Sequence, residues 1–293
     1  MGKTYAIADL HGRFDLLEMA LNAIIDRGPA NGSKIVTLGD HIDRGPDSRF
    51  VIETLMKVQS VSNGRMICLK GNHEEMMLET IRKPLHSRMA TFARWARTIA
   101  GAPIGSDWWL SNGGGWTLIS YGAKVGDRFD LSIVPPSHLD WIDSLPRMHV
   151  DKHRVYVHAG VAARFPLDGQ PFEALTRKIY PATDEGGHGM RHVVHGHCFH
   201  EDGPHSWKGR TALDTNAWRT GRLVIGVFDD DIPGEPIDLI EINGKPYDEL
   251  GEAGQFGRGA TTGVATALAV ATTSLLTLKC SLFWSSAINS HLQ

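Results

Sequence analysis

Asp9, His11, Asp40, Asp43, Arg44, Asn72, His73, His158 and His197 share one kind of position: each follows closely on a short apolar run. Asp9 and His11 are two residues apart, so extended backbone turns both toward one point beyond the strand end. Carboxylates mixed with imidazoles suit Mn, Fe or Zn better than Ca or Mg, which draw all-oxygen shells. Six of these side chains could ligate, too many for one tetrahedral ion. Two ions sharing a bridging carboxylate would use them economically, and such a pair clamps the oxygens of an in-line phosphoryl displacement.

The elements that must carry these residues can be read from the apolar pattern. Tyr5–Ala8, Lys34–Leu38 and Met66–Leu69 read as short buried strands ending at Asp9-Leu10-His11-Gly12, Gly39-Asp40-His41-Ile42-Asp43-Arg44-Gly45 and Gly71-Asn72-His73-Glu74. Helical stripes follow them. Phe14, Leu17, Leu21 and Ile24 mark the first, and Phe50, Val51, Leu55 and Val58 the second, with Pro46 suited to a first helical position. Strand, polar cluster and helix repeated three times argue for βαβ units with parallel strands, whose polar clusters line up along one edge.

Downstream, residues 84–120 are rich in Trp and Arg, interrupted by Asn112-Gly113-Gly114-Gly115, and read as a helical cap inserted above the site. Trp95, Trp108, Trp109 and Trp116 are expected to pack that cap. Ser137 to Leu145 reads as a helix with Ser137 as its N-cap. Strands Arg154–Val157 and His192–Val194 end at His158 and at His195-Gly196-His197. Thr211–Leu213, Leu223–Phe228 and Ile237–Ile240 read as strands of a second sheet. His195, inside its apolar run, is expected to be a hydrogen-bonded neighbour rather than a ligand, and Glu74 and Glu75 to favour a helix start.

A hydrophobic fraction of 42% and a charged fraction of 22% fit a globular protein with a sizeable core. A formal net charge of −3 gives no reason to expect a nucleic-acid partner. Three scattered cysteines support neither a disulfide framework nor a thiolate zinc site. With no signal peptide apparent, a cytoplasmic protein is expected. Residues 1–250 read as one domain and 251–293 as an extension outside its core. The uncharged stretch Ala260–Leu278 is long enough to span a bilayer but poor in Leu, Ile and Phe, so a membrane anchor is the less favoured reading.

Together the strand-end motifs, with Val157-His158-Ala159-Gly160 and Gly196-His197, resemble the phosphoprotein phosphatase group of calcineurin-like metallophosphoesterases. Lys70, Asn112-Gly113-Gly114, Ser120-Tyr121-Gly122 and Leu213-Asp214-Thr215 resemble its bacterial branch, similar to the phage lambda serine/threonine phosphatase. The resemblance spans roughly residues 3 to 228. It implies a four-layer α/β/β/α sandwich and a metal-dependent phosphomonoester hydrolase acting on phosphoserine or phosphothreonine in proteins. It also implies two divalent ions, manganese first with iron or zinc as alternatives. Asp9 and His11 would bind one, Asp40 would bridge, and Asn72, His158 and His197 would complete the second site. A hydroxide between the ions would attack phosphorus, and His73, paired with Asp43, would protonate the leaving group. Arg44 and Asn72 would hold phosphate, with Arg177 in the place of a second phosphate-binding arginine. The pattern departs at Ala8, Cys198 and Asn216, where Gly, Thr and Gly are usual, and the segment Leu175–Lys178 lacks the usual Trp. The alternative within enzymes is symmetrical hydrolysis of dinucleoside tetraphosphates. From another class comes a non-catalytic phosphate-binding or scaffold protein on the same fold.

Overall fold

The computed structural model describes residues 2–28, 30, 32–82, 108–124, 131–181, 183–250 and 275–282. Its chain builds two five-stranded sheets. The first has the spatial order β10-β9-β1-β2-β3, from β1 (Lys3–Ile7), β2 (Lys34–Thr37), β3 (Met66–Cys68), β9 (Arg222–Asp229) and β10 (Asp238–Asn243). Strands β1, β2 and β3 run parallel, joined by helices α1 (Phe14–Asp26) and α2 (Ser48–Val61). The second sheet has the order β4-β5-β6-β8-β7, from β4 (Met148–Val150), β5 (Arg154–Val157), β6 (His192–His195), β7 (His205–Trp207) and β8 (Arg210–Ala212). Helix α3 (Asn72–Arg82) follows β3, and α4 (Gly115–Ser120), α5 (Pro136–Ser144), α6 (Phe172–Arg177) and α7 (Ala217–Thr220) complete the named helices.

Side-chain alternation decides which layer each residue fills. Tyr5 and Ile7 turn outward onto Leu17, Leu21, Val51 and Leu55 of the helices, whereas Ala6 and Ala8 turn inward. Those two alanines lie with Val36, Leu38, Tyr156, Val194, Leu213 and Phe228 in the seam between the sheets. Beyond the second sheet, Val155, Val157 and Val193 pack with Leu175 of α6. The layers therefore run helix, sheet, sheet, helix, the sandwich expected from the resemblance.

Several local expectations give way. Strands β9 and β10 belong to the first sheet, β9 antiparallel to β1 and β10 antiparallel to β9. Their apolar residues could face either seam, and alternation alone does not name the partner strand. Pro46 lies in a turn ahead of α2, because the loop closes by donating Asp47 N–H to the Gly12 carbonyl before the helix begins at Ser48. Helix α5 starts at Pro136, with Pro135 in the N-cap place and no side-chain cap, so Ser137 is already helical. Most of the proposed cap, residues 83–107, lies outside the described residues, as does 251–274 of the extension. Residues 275–282 are helical and pack on the domain, contrary to the expectation for the extension. Leu276 and Cys280 are buried in the cluster around α1, and Lys279 Nζ donates to Asn22 Oδ1 at 2.8 Å. Among the described residues no helix is long and apolar enough to cross a membrane.

Candidate metal centre and acid–base pair

Strand ends from both sheets meet at one place. The turn after β1 brings Asp9 and His11, the turn after β2 brings Asp40, Asp43 and Arg44, and the first turn of α3 brings Asn72 and His73. The second sheet adds His158 after β5 and His197 after β6. Backbone geometry there is unusual: His11, Asp40, Asp43, Arg44 and His197 all have positive φ, between 43° and 74°. Left-handed conformations are disfavoured for side-chain-bearing residues, and they persist where surrounding contacts over-determine them. One such contact is the pair of bonds from the Leu10 and His11 N–H groups to the Asp40 carbonyl, 3.0 and 2.8 Å. Gly71 must be glycine, because a Cβ there would sit inside the Asp40 carboxylate.

Two overlapping groups of side chains could hold metal ions. In one, His11, Asp40 and His73 place ligand-type atoms within 4.8 Å of one another, and in the other Asp40, His158 and His197 do the same. Asp40 is common to both, and it is the residue that the resemblance implies as a bridge. His11 Nε2 lies 3.6 Å from Asp40 Oδ2, and His158 Nε2 lies 3.5 Å from Asp40 Oδ1. Asn72 Oδ1 is 2.8 Å and His197 Nδ1 is 3.2 Å from that same His158 nitrogen. Asp9 joins through the His197 N–H, which donates to both its carboxylate oxygens at 3.2 Å.

Tautomers test whether the set fits a cation. His11 Nδ1–H donates to the Ile42 carbonyl at 2.9 Å and His158 Nδ1–H to the Leu38 carbonyl at 3.0 Å, since a carbonyl only accepts. Each Nε2 lone pair is thereby turned to the cluster, the orientation that metal-ligating histidines take. Burial holds the imidazoles neutral: His158 is lowered to about 3, His197 to about 4, and His11 well below its ordinary value. Neutral imidazoles and crowded carboxylates around one point repel each other unless positive charge lies between them, so the donor set fits divalent cations. The carboxylates carry the same signature. Asp9 is raised well above the usual range by burial, then by Asp214 and Asp40.

His73 stands apart. Its Nδ1–H donates to Asp43 Oδ2 at 2.6 Å, and both residues are buried. Burial opposes the imidazolium, but the Asp40 and Asp43 carboxylates outweigh it and raise the His73 pKa. Arg44, half-buried, reaches His11 Nε2 at 3.0 Å and His73 Nε2 at 3.1 Å, and its guanidinium lies 5.8 Å from the Trp218 ring. Arg177 is exposed at the end of α6, over the Phe172 ring at 5.7 Å; among the described residues, no hydrogen bond or ion pair joins it to the cluster. His195 points away, with Nδ1 bonded to the Gly196 carbonyl at 3.0 Å and its ring against Tyr180.

Four neighbours were not given these places by the sequence. Asp214 is buried beside Asp9 and raised to about 7, chiefly by burial. Glu74 does more than favour a helix start: its carboxylate accepts the N–H groups of Asp40, His41 and Gly71 at 3.0, 2.8 and 2.8 Å. Trp109 is fully buried, and its indole N–H donates to Asp43. Thr117 Oγ1 donates to Asp43 Oδ1 at 2.6 Å. The Asp214 and Trp109 positions could have been suspected from the motifs around them; nothing local in the sequence singles out Thr117.

A sandwich with a His/Asp metal centre at its sheet ends defines a metallophosphoesterase, a hydrolase. The chain belongs to the calcineurin-like phosphoesterase family, which matches residues 2–200. It is 30% identical over 112 residues to Serine/threonine-protein phosphatase 1 of Salmonella typhimurium, covering 38% of this chain and 39% of that one. It is 27% identical over 132 residues to Serine/threonine-protein phosphatase 2 of Escherichia coli, covering 43% and 45%. The matches thus span less than half the length of these relatives. Among solved structures, a metallophosphoesterase from Sphaerobacter thermophilus superposes with a TM-score of 0.50 at 16% identity, over 92% of this chain and 99% of that one. A protein described provisionally as a diadenosine tetraphosphatase gives 0.51 at 18%, over 83% and 94%. At such identities the likeness is one of fold.

Proposed function

We propose that the protein hydrolyses phosphate monoesters, with phosphoserine and phosphothreonine in proteins as the substrate class. The observation that carries this reading is the buried Asp43–His73 pair at 2.6 Å, set beside Asp40 and Arg44. Asp9, His11 and Asp40 would hold one divalent ion, and Asp40, Asn72, His158 and His197 the other, with manganese the metal to try first. Ions there would supply Lewis acidity toward the phosphate ester and its attacking water.

The chain's own residues divide the remaining work. His73, with Nδ1–H committed to Asp43, presents Nε2 to the leaving-group oxygen as general acid. Protonating Nε2 sets donor against donor at the Arg44 contact, which frees the guanidinium to take phosphate oxygens as a charge-assisted fork. Asn72 would steady the same phosphate. The names of the two enterobacterial relatives support a phosphoprotein substrate over a nucleotide.

Inorganic phosphate release from a phosphoserine peptide with added Mn²⁺ tests the proposal. His73→Asn and Asp40→Asn should each lower kcat by roughly 10²- to 10⁴-fold; activity retained in either variant would refute its assigned role. No release from the peptide or from p-nitrophenyl phosphate across a range of divalent metals would sink the phosphomonoesterase reading. A preference for diadenosine tetraphosphate over the peptide would replace the substrate class.

A further inference from the structure

The segment from Trp108 to Ser120 packs on the loop that carries Asp43 and Arg44. Its closest approach is at Asp43. Trp109 Nε1–H lies 3.0 Å from Asp43 Oδ1 and 2.9 Å from Oδ2, and Thr117 Oγ1 lies 2.6 Å from Oδ1. The Thr117 hydroxyl also accepts the Asp43 backbone N–H at 3.0 Å, so one side chain grips Asp43 at both ends. Ser48 Oγ, 3.0 Å from that N–H, shares the task. Asp43 has φ of +74°, a conformation its own backbone does not favour, and this grip is what holds it.

The glycine run belongs to the same arrangement. Gly113, at φ of +104°, passes its carbonyl to the Arg44 N–H at 3.3 Å, and a Cβ there would press on Arg44. A Cβ on Gly114 would enter the Trp109 ring. Asn112-Gly113-Gly114 therefore lets the segment lie flat on the loop and keeps the indole turned toward Asp43.

The geometry points to Trp109 and Thr117 as positioning residues for the general acid: they fix the Asp43 carboxylate, and through it the His73 ring, in line with the leaving-group oxygen. This inference rests on the phosphomonoesterase reading above. A carboxylate held by three donors is restrained from rotating away from the His73 Nδ1–H, and the Trp109 and Thr117 bonds, stronger to the ionised carboxylate than to the neutral acid, keep the proton on His73. If either donor is removed, Asp43 gains a second orientation and the imidazole follows it. Protonation of the leaving group then suffers, while metal binding and phosphate contact need not.

A leaving-group series separates this from a merely structural role. p-Nitrophenolate leaves readily without a proton, whereas the alkoxide of serine does not. Thr117→Val, which keeps volume and removes a donor, and Trp109→Phe, which removes the indole donor and keeps an aromatic ring, should slow phosphoserine-peptide hydrolysis about tenfold or more beyond any effect on p-nitrophenyl phosphate. KM should be little changed, and Thr117→Ser should restore the wild-type ratio. An equal loss on both substrates, or no loss on either, would overturn the inference.

A second measurement needs no turnover. In the metal-free protein the short His73–Asp43 bond should give a far-downfield proton resonance, assigned by its disappearance in His73→Asn. It should persist in Thr117→Ser and shift upfield in Thr117→Val and Trp109→Phe. A resonance unmoved by both substitutions overturns the positioning role whatever the activity. Absence of turnover in a wild type whose resonance does respond would instead count against the phosphomonoesterase reading alone.

Discussion

At the residue scale the site is dominated by a charge conflict. Asp9, Asp40 and Asp214 are all buried, and Asp214 has its pKa raised to about 7 by burial, with Asp40 adding to the repulsion. Its ordinary value is 3.8. The folded state therefore holds a proton on Asp214 over a window in which the unfolded chain has lost it. By linkage, the metal-free protein should lose stability as pH rises from about 4 to about 7, then level off. At about 1.4 kcal/mol per pKa unit, the loss attributable to this group is of order 2–4 kcal/mol. Asp214→Asn should remove that part of the slope and raise the Tm of the metal-free protein at pH 8. A metal-free Tm that is flat between pH 4 and 8 in the wild type would contradict it. Cations should relieve the same conflict, so metal loading should raise Tm most at the high end of the window. Much of this was legible beforehand. The gathering of these His and Asp side chains at strand ends was readable because each motif follows its own apolar run. Asp214 was visible only as part of a motif, since a carboxylate's pKa depends on what the fold packs beside it.

At the element scale, Glu74 fastens two strand ends into one surface. It sits in the first turn of α3 and accepts N–H groups from the loops after both β2 and β3. Those bonds and the nearby His41 outweigh burial and lower its pKa to about 2. A carboxylate with four acceptor sites can take three backbone donors; an amide offers one oxygen and sets its own N–H groups against them. Glu74→Gln should therefore destabilise the fold by about 2–4 kcal/mol. It should also weaken metal binding by roughly 10- to 100-fold, since Asp40 is carried on the loosened loop. Isothermal titration with Mn²⁺ and thermal melts check the two effects; wild-type affinity in the variant would show that Asp40 needs no such anchor. In the sequence Glu74 reads only as a residue suited to a helix start, because helical position is local, whereas two of the three N–H groups it collects come from the distant loop after β2. The same division explains the other departures. Strands β1, β2 and β3 were readable because each carries its own apolar run and turn. The placing of β9 and β10 was not, because pairing is a contact between distant segments.

At the scale of the whole molecule, the site exists only because the two sheets pack face to face and bring their strand ends together. Asp9, Asp40 and Asn72 come from the first sheet, His158 and His197 from the second, and the seam behind them is filled by Ala6, Ala8, Val36, Val194 and Leu213. Small residues at Ala6 and Ala8 let the sheets approach closely. Gly196 marks the tightest point of the seam. It follows β6 and donates its N–H to the His158 carbonyl at 2.8 Å, and a Cβ on it would fall inside the Asp9 carboxylate. Gly196→Ala therefore has two ways to relax: the sheets part along the whole seam, or Asp9 alone turns aside. Parting the sheets would expose a wholly buried apolar layer, at a cost that scales with the area uncovered. Turning one carboxylate costs a rotamer and its bonds to the His197 N–H, a much smaller sum. The variant should accordingly fold with a wild-type circular dichroism spectrum and a cooperative melt, yet bind the first Mn²⁺ at least about tenfold more weakly. Loss of the cooperative melt would show that the seam, and not the ligand, yields first. Unchanged metal affinity would show that Asp9 is not held against the second sheet at all.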